Sequence, residues 1–126
     1  MPRVAAIINW YGISDVNDML AGPNARSYAV QWIGSSKNRD DMAKVVSPLT
    51  YVRAGLPPVL SIHGDADTIV PYSHATRLRD ALTTNGAPNE LVTIEGGGHG
   101  NFKPEERGTA YVKIREFLAK YGLSSK

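Results

Sequence analysis

Short continuous apolar runs alternate along the chain with stretches whose apolar residues recur every three or four positions. Val4-Ala5-Ala6-Ile7-Ile8 contains no polar alternation, the pattern of a strand buried on both faces. Asn9-Trp10-Tyr11-Gly12 follows and leads out of it. Ala25, Tyr28, Ala29, Trp32 and Ile33 share one helical face after Pro23-Asn24, so Tyr28 and Trp32 are expected in the core. A short helix is predicted from Asp40 to Val46, and Ser47-Pro48-Leu49-Thr50 turns the chain.

The second apolar run, Pro58-Val59-Leu60-Ser61-Ile62, ends at His63-Gly64-Asp65. Ser73 then opens a helix through Ala75, Leu78, Ala81 and Leu82, closed by Asn85-Gly86. Glu90-Leu91-Val92-Thr93-Ile94 is a third strand and runs into Glu95-Gly96-Gly97-Gly98-His99-Gly100. Pro104 opens the last helix with Glu105 and Glu106 in its first turn. Its apolar face is Tyr111, Ile114, Leu118 and Tyr121, Gly122 stops it, and Leu123 to Lys126 reads as a frayed end. Strands alternating with helices predict a three-layer α/β/α arrangement with a short parallel sheet and right-handed crossovers.

Composition narrows the function. A chain of 126 residues, 42% hydrophobic and 21% charged, has the make-up of an ordinary globular domain. The net charge is +2 and the basic residues are scattered, which argues against a nucleic-acid partner. No apolar run approaches a membrane span, and Met1-Pro2-Arg3 shows no signal-peptide pattern. The absence of cysteine excludes a disulfide framework, a thiolate metal site and a cysteine nucleophile. No metal or other cofactor is expected.

In an open parallel sheet, chemistry collects beyond the carboxyl ends of the strands. That rule selects the loops Trp10 to Asp15, His63 to Tyr72 and Glu95 to Phe102, which hold Asp15, Asp65, Asp67, His63, His74 and His99. A histidine exchanges protons near neutral pH, and a carboxylate on its other nitrogen fixes the tautomer. Asp67 and His99 are the pair suited to this, since the glycines around His99 let the backbone turn it over the sheet edge. Asp65, directly after Gly64, suits a turn-stabilising role. His63 reads as a packed or hydrogen-bonded strand-end histidine, and His74 as an exposed residue at a helix start. The glycine run lacks the Lys-Ser/Thr pair of a phosphate-binding loop.

The stretch His63-Gly64-Asp65-Ala66-Asp67-Thr68-Ile69-Val70-Pro71 resembles the acid loop of esterase-like α/β-hydrolases. The likeness extends to the prolyl-oligopeptidase-like and dienelactone-hydrolase-like branches and to related carboxylesterases. It covers nearly the whole chain, residues 1–126 matching the C-terminal half of one such domain. The resemblance implies that Asp67 is the acid and His99 the base of a catalytic triad acting on carboxylic esters, in the family's order Ser, Asp, His. No serine stands in a G-x-S-x-G elbow, however, and in the family that elbow lies upstream of the strand matching Val4 to Ile8.

Two classes of function follow. One is an ester hydrolase of small-molecule substrates using Asp67 and His99, with an activated water or a substitute nucleophile. Ser14, just beyond the first strand, is the leading substitute. The other is a non-catalytic half that needs an N-terminal partner or serves only in binding. The strand Val4 to Ile8 also lacks the neighbour it has in the family. That leaves an unprotected edge, from which a homodimer is expected.

Overall fold

The computed structural model describes residues 3–124. Met1-Pro2 and the last two residues of the expected frayed end lie outside that range. The described chain contains strands β1 (Ile7–Trp10), β2 (Val59–Gly64) and β3 (Asn89–Ile94). Its helices are α1 (Ser27–Ile33), α2 (Arg39–Val45), α3 (Ser73–Thr84) and α4 (Pro104–Lys120), with short 3-10 turns at Asn17–Met19 and Pro48–Tyr51. The three strands form one parallel sheet in the order β1-β2-β3.

The central strand explains the layers. All six residues of β2 are buried, and its alternating side chains serve two cores. Leu60 and Ile62 pack with Ile94, Phe102, Ala110 and Phe117 on the α4 side. Val59 packs with Leu78, Leu82 and Ala87 on the α3 side. A third cluster, Val16, Met19, Leu20, Ala29 and Ala43, ties α1 and α2 to the loop after β1.

β1 begins three residues later than the apolar run. Ile7 pairs with Val59 and Trp10 with Ile62, so an earlier start would set the strand against Leu56-Pro57-Pro58, where the prolines offer no N–H. Nor is β1 covered on both faces: Ile7 is exposed and the rest of the strand is half-buried. Only Ala29 is buried in α1, and Tyr28 and Trp32 stand exposed rather than in the core. On α4 Ile114, Leu118 and Tyr121 pack against the core as expected, joined by the buried Ala110 and Phe117. Tyr111 is exposed instead and lies against Trp10 at a ring separation of 5.8 Å. The end of α4 is ordered by a Schellman motif. Gly122 sits at φ 71°, and the Gly122 and Leu123 amides donate to Ala119 and Leu118.

Among the described residues β1 has a partner strand on one side only. Beside it a groove of about 350 Å³ opens among Ile7, Ile8, Ile13, Pro48, Leu56 and Leu78. Unpaired backbone next to an apolar groove favours association. Light scattering of the isolated chain is expected to give a concentration-dependent mass above 13.7 kDa; a constant monomer mass would refute this.

Candidate active site

The three loops beyond the strand ends converge on His99. Its Nδ1 donates to Asp67 Oδ2 at 2.8 Å, and its side chain keeps about a third of its surface exposed while that of Asp67 has none. The other Asp67 oxygen, Oδ1, accepts the Ile69 amide at 2.8 Å and the Val70 amide at 2.9 Å. With Nδ1 committed to the carboxylate, Nε2 makes no hydrogen bond to any described residue. It is the ring position open to a reacting hydroxyl or water.

Backbone contacts between two loops fix this geometry. The Asp65 amide donates to Ile94 O, and the Ala66 amide donates to Gly97 O. Asp65 does more than shape its own turn, because its Oδ1 accepts the Gly96 amide at 2.7 Å across the gap. The closeness requires Gly64, where a Cβ would stand 2.1 Å from Gly97 O.

One site residue, Tyr11, was not singled out from the sequence, while His63 is the packed, hydrogen-bonded strand-end histidine expected. Tyr11, one position beyond β1, is the one described non-glycine residue at positive φ, 41°, a conformation that tends to persist at functional sites. Its ring lies 4.5 Å from that of His99 and occupies the space a Cβ on Gly100 would need. His63 is fully buried, with Nε2 2.9 Å from Val70 O and 3.2 Å from Asp67 Oδ2. The signal for Tyr11 was indirect: a glycine right after His99 marks a place where something must approach closely.

Ser14 and His74 depart from their sequence assignments. Ser14 is 1% exposed, and its hydroxyl donates to the main-chain oxygen of His74 at 2.8 Å. It is therefore corrected from substitute nucleophile to structural residue. His74 is fully buried rather than exposed. Its Nδ1 accepts the Ser14 amide at 3.1 Å, and its Nε2 lies 3.0 Å from Asp18 Oδ2. Asp15 turns away to pair with Arg77 at 2.8 Å. Among the described residues, no group of three or more His, Cys, Asp or Glu is placed to hold a metal ion, and no helix is long and apolar enough to cross a membrane.

Comparison with known proteins agrees with the fold. The BD-FAE family model matches residues 1–82, a span that takes in Asp67 but not His99. Among solved structures, a truncated carbohydrate esterase from gut microbiota is 28% identical with a TM-score of 0.77, over 96% of this chain and 44% of that one. Butyrate-bound esterase 2 from the planctomycete Thermogutta terrifontis is 25% identical with a TM-score of 0.75, over 97% and 45%. The same esterase phosphorylated by paraoxon is 32% identical with a TM-score of 0.62, over 67% and 34%. The chain thus spans less than half the length of these esterases. No curated protein matches it.

Two outcomes test the geometry. Gly64→Ala must push the two loops apart and is expected to destabilise the fold by about 1–3 kcal/mol; an unchanged denaturant midpoint would show that the close approach is unnecessary. Burial lowers the His74 pKa from its ordinary value, against the opposing hydrogen bond to Asp18. The folded ring therefore stays neutral where the unfolded ring takes a proton. That part of the stability is present above the ordinary histidine range and lost as pH falls through it, with a slope of up to about 1.4 kcal/mol per pH unit. His74→Gln should flatten this slope in urea titrations run at several pH values, and an identical slope would exclude His74 as its source.

Proposed function

The chain belongs to the BD-FAE family, and from that premise we propose that it supplies the acid and base of an ester hydrolase, Asp67 and His99. The observation that carries this reading is the 2.8 Å contact between a fully buried carboxylate and a part-exposed imidazole whose other nitrogen is free. Esterases among the matching structures support the reaction class. The butyrate-bound neighbour points to short acyl esters as the first substrates to try.

In this reading His99 Nε2 takes the proton of a hydroxyl as its oxygen attacks the acyl carbonyl carbon. The protonated ring then passes that proton to the departing alcohol oxygen. Water repeats the sequence on the acyl intermediate, releasing the acid and restoring the hydroxyl. Asp67 holds the ring with Nε2 outward and stabilises it while it is charged. Because no serine here occupies a G-x-S-x-G turn and Ser14 is buried, the attacking serine is assigned to polypeptide outside these 126 residues. Its strand would add along the free edge of β1.

The test combines this chain with the part of the Thermogutta terrifontis esterase that lies outside the region it matches, using a short activated ester as substrate. The isolated chain should show weak hydrolysis at most, and the combination a clear gain. His99→Ala and Asp67→Asn should each cut that gain by about 10⁴-fold or more. Hydrolysis that survives His99→Ala undiminished would overturn the proposal.

A further inference from the structure

We propose that His63 is a positioning residue for the Asp67–His99 pair, its Nε2–H holding Asp67 Oδ2 in the orientation that receives His99. The inference rests on the hydrolase reading above and adds a residue to it.

Val70 O, 2.9 Å from His63 Nε2, can only accept a hydrogen bond, so Nε2 carries the proton and Nδ1 is a bare lone pair. That Nδ1 is buried and has no hydrogen-bond partner among the described residues. An apolar side chain would fill this place at the end of β2 without stranding an acceptor, so packing alone does not account for a histidine here. What the histidine adds is its single N–H, which is donated to Val70 O and whose nitrogen also stands 3.2 Å from Asp67 Oδ2, a polar contact with the carboxylate. Oδ2 is also the oxygen that takes His99 Nδ1, while Oδ1 is held by the Ile69 and Val70 amides. The two amides alone would leave the carboxylate free to swing about Oδ1. The electropositive N–H edge of His63 against Oδ2, fixed to the central strand, removes that freedom. The edge of the Tyr72 ring, 5.9 Å away between centroids, packs against the His63 imidazole.

The experiment follows the His99 Nδ1 proton by NMR in the whole chain without substrate, and compares its exchange with water in wild type, His63→Leu, His63→Gln and His63→Asn. The glutamine amide can reach the Nε2 position; the shorter asparagine amide cannot. Expected is exchange about tenfold faster or more in His63→Leu and His63→Asn, and near-native exchange in His63→Gln, as the loss of a polar contact to a charged group dictates. Wild-type exchange in His63→Leu would overturn the proposal, as would equal acceleration in the glutamine and asparagine variants. If His63→Leu fails to fold, the glutamine–asparagine contrast decides alone. Because no substrate is present, failure here leaves the hydrolase reading standing, and failure of the activity test leaves this geometry standing.

Discussion

A carboxylate withdrawn from water must be met by donors on both oxygens, and the side chain of Asp67 has no exposed surface at all. Much of the architecture around it follows from that demand. Two amides come from the loop's own turn at Ile69 and Val70. His99 comes from the glycine loop, which the backbone contacts at Asp65, Ala66 and Gly96 draw across the gap. His63, on the central strand, brings its Nε2 to 3.2 Å from Oδ2. Each of these groups depends on a different element, so the carboxylate is where the sheet and the two loops are locked to one another. The pairing that would serve catalysis is thus also what makes the buried charge tolerable.

The parts of this arrangement that were legible in the sequence are those with a local signature. Asp67 and His99 each follow a short, largely apolar strand segment, in loops whose glycines announce unusual backbone, and the three parallel strands were readable for the same reason. Tertiary context decided the rest. The start of β1 was misplaced because the limit lies in Pro57 and Pro58 of the strand opposite. Helical periodicity correctly put Tyr28 and Trp32 on one face with Ala29, but periodicity cannot say how much of a face is covered. His74 looked like an exposed helix-start residue because its partners, Ser14 and Asp18, lie 60 and 56 positions away.

That last case separates residue type from role. Ser14 and Asp18 both contact His74, a serine and an aspartate on one histidine, yet they are wired the other way round from a catalytic set. The serine hydroxyl donates to a main-chain carbonyl, and the imidazole Nδ1 receives backbone amides. Nε2 is closed off by Asp18. No ring position remains for a proton to enter or leave, and burial disfavours the charged ring. His99 differs in the two respects that matter: one nitrogen is bound and the other is open, and the ring reaches the surface.

The location of these supports bears on how much of the site can exist in this chain alone. Asp67, His63, His99 and the contacts that join their loops all belong to β2, β3 and the segments following them. β2 is paired on both sides and fully buried. The open edge lies on the other side of β1, and the apolar groove opens over the α3-facing side of β1 and β2, away from His99. Of the residues around His99, only Tyr11 is carried by β1, and it contacts the ring face rather than either nitrogen's partner. The acid–base pair is therefore held independently of whatever covers the β1 edge. A hydroxyl arriving along that edge would meet an imidazole already oriented, with its backbone and carboxylate contacts complete before the nucleophile is present.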